Sequence, residues 1–215
     1  MKNKFYSIVL TFSTILIFII WKLILQNSVF MNDIWRVILI GGLLSFGTFK
    51  GVVKLIMFLA ENFSWLKIFI IGNEYLNGKW IGYYRGASGD IRYIVETFEQ
   101  NFDELKIRGH SFNENLELHS SWESKSLSID GNSGKLIYAY AVTGIIEPMN
   151  GIGIAEFDFE RAKKNEIPKI IRGFSIDSHI GKKIASYEEK VIEKIIPNEK
   201  ELVLRAKRIY ESNIK

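Results

Sequence analysis

The chain has no cysteine among its 215 residues. That excludes a disulfide, a thiolate nucleophile and a Cys-type zinc site, and it fits a cytosolic setting. Histidine is scarce. His110, His119 and His179 are the three present, and none lies three or four positions from another. There is no HExxH helix, no GxSxG elbow, no Walker loop and no Rossmann glycine pattern. Enzymatic chemistry is therefore not expected, and neither a cofactor nor a metal is called for. A strongly basic surface is missing too, despite a formal charge of +4. Residues 1–72 hold seven Lys/Arg against two Asp/Glu, so they carry +5 and the remainder carries −1. The long C-terminal part thus lacks the electrostatic footprint of a DNA or RNA binder.

What is present divides into two. Phe5–Trp21 and Val37–Phe49 are runs of seventeen and thirteen residues without a charge. A spanning helix needs about 20 mostly apolar residues. Phe5–Leu25 meets this with Lys22 near its end, where the ammonium can snorkel to the interface. The run is too long for a signal peptide and no A-x-A site follows, so it reads as an uncleaved anchor. A second span is expected over Ile34–Val53, with Arg36 and Lys50 near its ends. Gly47 and Gly51 within it are spaced to let helices approach closely. Lys2, Lys4, Lys50, Lys54 and Lys67 flank the outer ends of this hairpin, whereas the loop Gln26–Asp33 carries only Asp33. The positive-inside rule then places both termini in the cytoplasm. Leu55–Gly72 is apolar but interrupted by Glu61, Asn62 and Lys67. It reads as an interfacial helix or a continuation of the second one. The expected division is a membrane unit over 1–72 and a cytoplasmic domain over 73–215.

From Asn77-Gly78 onward, period-two alternation takes over. Strands are expected at Lys79–Arg85, Ile91–Gln100, Asp103–Ser111, Asn115–Ser124, Ser126–Asp130, Leu136–Thr143, Ile152–Arg161 and Ile170–Ser175. No interval is long enough for a βαβ crossover, so the sheet should be antiparallel. Roughly eight short strands with one apolar face close into an up-and-down barrel, which removes exposed edges. A two-sheet sandwich is the alternative. Ala185–Ile196 and Lys200–Tyr210, separated by Pro197-Asn198, have apolar residues at helical spacing and are expected to be C-terminal helices.

Three surface features have bland readings. His119 lies on the polar parity of its strand. Glu156, Asp158 and Glu160 form the wet face of another. Gly131-Asn132-Ser133-Gly134 is a hairpin turn. The strands are richer in aromatics (Trp80, Tyr83, Tyr84, Tyr93, Trp122, Tyr138, Tyr140) and in arginines (Arg85, Arg92, Arg108, Arg172). Rings that stack on bases and guanidinium forks that pair with phosphates are what a nucleotide ligand requires. On these grounds Trp80, Tyr84, Tyr138 and Tyr140 are the candidate stacking rings, and Arg108 and Arg172 the candidate phosphate partners. Arg108 has the parity opposite to Leu105 and Ile107, which sets it against an inward orientation. The competing reading has the rings filling a core and the arginines serving as surface charge.

Two apolar helices followed by Gly78-Lys79-Trp80-Ile81-Gly82-Tyr83-Tyr84, a G-x-W-x-G-x-Y stretch, and then an all-β domain resemble a known family along nearly the whole chain. The family is that of the SMODS-associating two-transmembrane β-strand-rich effectors of bacterial CBASS anti-phage systems. The resemblance implies a lipocalin-like barrel that binds a cyclic dinucleotide made by a partner cyclic nucleotide synthase. It further implies self-association into homo-oligomers, disruption of the inner membrane by the helices and death of the infected cell. A membrane-anchored lipocalin-like carrier of a lipid or hydrophobic molecule is the rival. It predicts an apolar lumen. A structural barrel that docks a protein partner is a third possibility.

Overall fold

The computed structural model describes residues 2–26, 34–145, 150–161, 163, 166–178, 181–193, 195 and 197–214. The loop that carries Asp33, as well as His179, lies outside them. The chain forms two compact units, residues 1–71 and 72–215.

The first unit holds helices α1 (Lys2–Leu25), α2 (Ile34–Asn62) and α3 (Ser64–Ile71). Two stretches, Phe5–Ile24 and Ile38–Ala60, are long and apolar enough to cross a membrane. Phe5, Val9 and Ser13 recur every four residues and form the buried stripe of α1, while Leu10, Phe18 and Leu23 stay exposed. α1 and α2 pack against one another, with the indole of Trp21 lying directly over Gly41. Gly47 and Gly51, expected from the sequence to be close-packing positions, have open space around them within this hairpin. α2 runs past the expected end at Val53 as far as Asn62, and α3 follows as a separate short helix. The three helices together line an apolar cavity of about 410 Å³.

The second unit is a closed antiparallel barrel of eight strands in sequence order, with β8 pairing back to β1. The strands are β1 (Gly78–Arg85), β2 (Ile91–Gln100), β3 (Leu105–Phe112), β4 (Leu118–Asp130), β5 (Lys135–Gly144), β6 (Asn150–Glu160), β7 (Ile170–Asp177) and β8 (Lys183–Lys190). Closure satisfies every edge, as the many short strands suggested. The strand count agrees with the sequence reading, but its composition does not. Asn115–Ser124 and Ser126–Asp130 are one strand, β4, which bulges at Lys125: Ser124 faces Tyr140 and Ser126 faces Ala139, leaving Lys125 unpaired. The eighth strand comes instead from the stretch read as the first C-terminal helix. Ile184, Ser186 and Glu188 of β8 share the parity that faces the barrel interior, while Tyr187 faces out. Polar residues at inward positions mask the alternation, and the residues left over resemble a helical stripe.

Only the second expected helix forms, α4 (Glu199–Asn213). Asn198 caps it, its Oδ1 accepting from Glu201 N at 2.9 Å. Leu202, Val203 and Ala206 pack with Ile81, Ile91, Tyr93, Val95 and Phe112, the outward residues of β1–β3. Fully burying an aliphatic side chain of this size is worth about 1.5–3 kcal/mol. This cover explains why Trp80 and Ile81, which point to opposite faces of β1, are both buried.

The segment leading into β1 is fastened to the barrel by side chains. Gln100 Oε1 accepts from Leu76 N at 2.7 Å and Asn77 N at 3.1 Å, and Gln100 Nε2 donates to the Glu74 carbonyl at 2.7 Å. Arg161 donates to the carbonyls of Gly131 and Asn73.

Candidate ligand-binding site

Inward-facing residues fill much of the barrel. Trp80, Phe98, Ile107, Leu136 and Ile171 are almost completely buried. A cavity of about 70 Å³ remains, room for a few water-sized groups. It is far smaller than the roughly 300–1,000 Å³ typical of sites for drug-sized ligands. Tyr84, Ser175, Asp177 and Ser186 in its lining are only half-buried, so the cavity reaches solvent at that end.

The walls mix aliphatic, aromatic and polar side chains. Glu96 from β2 and Glu188 from β8 are 2 % and 1 % exposed. Glu96 Oε1 accepts from Trp122 Nε1 at 2.7 Å and from the Tyr138 hydroxyl at 3.3 Å. Oε2 of Glu96 and Oε2 of Glu188 have no donor among the described residues. The two carboxyls lie within hydrogen-bonding reach of one another. Burial pushes both up from the ordinary carboxylate range, and for Glu188 the neighbouring Glu96 charge adds to the effect. Two carboxylates this close in a low-dielectric interior oppose each other's ionisation, so the pair favours a shared proton.

The rings are held in place by missing side chains opposite them. The Trp122 indole lies over Gly109, and the Tyr140 ring over Gly153, each its cross-strand neighbour. A methyl at either glycine would collide with the ring. Tyr138 stacks on Phe157 with centroids 6.0 Å apart. Tyr140 donates its hydroxyl to Asp177 Oδ1. Burial, reinforced by Asp177, holds that phenol well above its usual value. The Tyr84 hydroxyl lies against Ser111 and Ser120, and burial raises it too.

Of the six residues singled out from sequence, Tyr84, Tyr138 and Tyr140 line the cavity. Trp80 does not. It is fully buried, donates its Nε1 to the Leu76 carbonyl at 3.0 Å, and packs on Phe98. Neither expected phosphate partner reaches the interior. Arg108 lies half-exposed on the outer face, bonded to Glu99 at 2.9 Å and Glu123 at 3.2 Å. Arg172 is likewise on the outside, paired with Glu160 at 3.2 Å and set over the Tyr187 ring. The arginine beside the cavity is Arg92. It faces Tyr84 across β1 and β2, its side chain is 16 % exposed, and it acts electrostatically on the Tyr84 phenol.

Glu96 carries a sequence signal, since it shares the apolar parity of Ile94 and Phe98. Glu188 had none, because its strand reads as a helix. The bland readings hold for two surface features. Glu156 and Glu160 pair with Lys135 and Arg172 on the outer face. Asp130 ties the 131–134 turn by accepting from Asn132 N, Ser133 N and Ser133 Oγ. Among the described residues no cluster of three or more His, Asp or Glu is placed to hold a metal.

Comparison with protein-family models, with curated proteins and with solved structures finds no match to this chain. The fold and cavity define it as a closed eight-stranded β-barrel with two carboxyls buried beside a small interior cavity, preceded by two helices able to span a membrane.

Proposed function

We propose that the chain is a membrane-tethered receptor of the CBASS effector type. In this reading the cytoplasmic barrel binds a cyclic dinucleotide, the bound form self-associates, and the gathered helices breach the inner membrane and kill the infected cell. Both termini lie in the cytoplasm, as the lysine distribution favours.

One observation carries the receptor reading: a buried pair of carboxyl groups, Glu96 and Glu188, set among tyrosines and a tryptophan beside a cavity inside the barrel. A barrel that served only as a scaffold would gain nothing from two buried carboxyls, because taking an ionisable group out of water costs free energy. Perturbed titratable groups in a cleft are characteristic of binding sites. The two buried carboxyls disfavour the lipid-carrier alternative, which needs an apolar lumen. The cavity takes only one edge of a base. The rest of the ligand then lies at the open end, where Arg92, paired with Asp90 at 3.5 Å, is the cation beside it.

Ligand binding drives assembly if the assembled form binds the ligand more tightly. Confinement to a membrane raises the effective concentration and helps a modest preference suffice. The test is the thermal stability of the full chain in lipid nanodiscs against a panel of cyclic dinucleotides. A ligand at one hundred times its dissociation constant adds about 2.7 kcal/mol. A panel without a single stabilising member overturns the proposal.

A further inference from the structure

Outward apolar residues are concentrated on two parts of the barrel wall, one covered and one bare. On β1–β3 they include Ile81, Tyr93 and Phe112, and α4 lies over them. On β6, Ile152 and Ile154 are 64 % and 57 % exposed. Ile137 and Ile145 extend this face along β5, and Ile176 continues it on β7, beside Ile154. No charged residue takes an outward position within 137–145, 150–154 or 174–176. An antiparallel sheet with one solvated face normally turns polar side chains to water, and a contiguous apolar patch marks a contact surface.

The patch is shaped to receive a copy of itself. Register places Ile154 beside Ala139 and Ile152 beside Ala141. Such neighbours have Cβ atoms about 4.5–5.5 Å apart, so two protruding isoleucines on β6 stand level with two hollows over β5. Half a turn about an axis that runs between these strands, parallel to them, exchanges β5 and β6 at constant height. Ile154 of one copy then meets Ala139 of the second copy, Ile152 meets Ala141, and the reverse contacts form at the same time. That reciprocity is what a two-fold interface demands. The lack of charge lets the two faces meet without opposing like charges. The same axis leaves both barrels with the ends at which β1 begins on one side, as chains anchored in a common membrane require. A face that docked on the bilayer would carry Trp or Tyr with Lys or Arg turned to the headgroups. Here the rim lysines are engaged within the barrel wall: Lys135 pairs with Glu156 at 3.2 Å, and Lys183 lies over the Phe174 ring at 4.1 Å.

We propose that the β5–β6 face joins two copies of this chain into a dimer without any ligand. This goes beyond the receptor reading, since no nucleotide takes part in the contact. A two-fold contact closes at the dimer. Larger ligand-driven assemblies then need a second surface, and the dimer is the unit that they gather. Confinement of the chain to a membrane raises the effective concentration at which such a face meets its copy.

The chain has no cysteine, so an introduced thiol reports the contact without background. Ile154→Cys and Arg208→Cys, the latter at an exposed position of α4, are made separately in the full chain. Each is reconstituted at low density in phosphatidylethanolamine–phosphatidylglycerol vesicles without nucleotide and then oxidised. Ile154→Cys should yield covalent dimer at least about tenfold faster than Arg208→Cys. Adding Ile152→Glu to the Ile154→Cys chain brings like charges into the contact and should slow its crosslinking by at least about tenfold. Equal rates at the two thiols, or crosslinking indifferent to Ile152→Glu, overturns the proposal. So does a covalent dimer that forms only once a cyclic dinucleotide is added. An environment-sensitive fluorophore at the Ile154→Cys thiol that is shielded in vesicles where no dimer forms would assign the face to the bilayer and overturn it as well. Crosslinking as expected beside a barren cyclic dinucleotide panel would remove the receptor reading and uphold this contact. The comparison of the two thiol positions decides the matter even if the glutamate variant misfolds.

Discussion

Trp122 donates its indole Nε1 to Glu96 Oε1 at 2.7 Å, joining β4 to β2 through the interior of the barrel rather than through the sheet between them. The ring can reach because its cross-strand neighbour, Gly109, has no side chain. Trp122→Phe keeps the ring and removes the donor, and should destabilise the chain by about 1–3 kcal/mol. Gly109→Ala should be at least as damaging, since its methyl would lie 2.2 Å from the indole. Urea unfolding of the detergent-solubilised chain measures both. A loss under 0.5 kcal/mol for either, on the order of an ordinary surface substitution, would show that the Trp122 contact does not organise the interior.

The carboxyl pair gives stability a pH dependence of definite sign. Burial raises both groups above their ordinary value of 4.5, so between that value and the raised ones the folded chain keeps protons that the unfolded chain releases. Stability from this source is complete below 4.5 and is lost as pH rises, by up to about 1.4 kcal/mol per pH unit for each proton. Glu123 and Asp130 are held low by their partners and contribute with the opposite sign at acid pH. The pair is therefore isolated by difference. Glu96→Gln should gain on the native chain steadily from pH 5 to pH 8 in thermal melts. A constant difference across that range would mean that no proton is shared.

Much of this barrel can be read from its alternating strands, while its interior chemistry is largely hidden from them. Strands such as β3, where Leu105 and Ile107 oppose Lys106 and Arg108, announce themselves because apolar residues face in and charges face out. The interior site consists of the residues that break that rule. Glu188 and Ser186 occupy inward positions of β8, so the strand loses its period and passes for a helix. Arg108 and Arg172 are cations of the right type, but each sits on an outward position away from the cavity. Tyr138 and Tyr140 are legible by type and parity, although nothing in the sequence pairs Tyr140 with Asp177.

The position of Arg92 separates it from the other arginines. Its register partner is Tyr84, at the solvent end of the cavity. If the ligand enters base first, Arg92→Ala should weaken cyclic dinucleotide binding by about tenfold or more, the worth of a charge-assisted hydrogen bond. Arg108→Ala and Arg172→Ala, which remove exposed ion pairs, should leave it within about twofold. Titration of the three variants against one ligand distinguishes the outcomes. The reverse ranking would place the ligand on the outer face.

Glycines in α2 divide into two kinds, and the division predicts which changes break the hairpin and which break its association. Gly41 is covered by Trp21, and a methyl there would lie 2.0 Å from the ring. Gly41→Leu should separate α1 from α2 and lower the yield of folded chain. Gly47 and Gly51 lie four residues apart with nothing within 4 Å of an added methyl. Spacing of this kind lets a second helix approach closely in lipid, where packing rather than the hydrophobic effect drives association. The double variant Gly47→Leu and Gly51→Leu should therefore insert and fold normally while losing ligand-dependent self-association, which chemical crosslinking in vesicles would report. It should also abolish leakage of a vesicle-trapped dye. Undiminished crosslinking and leakage would move the assembly surface away from this face of α2.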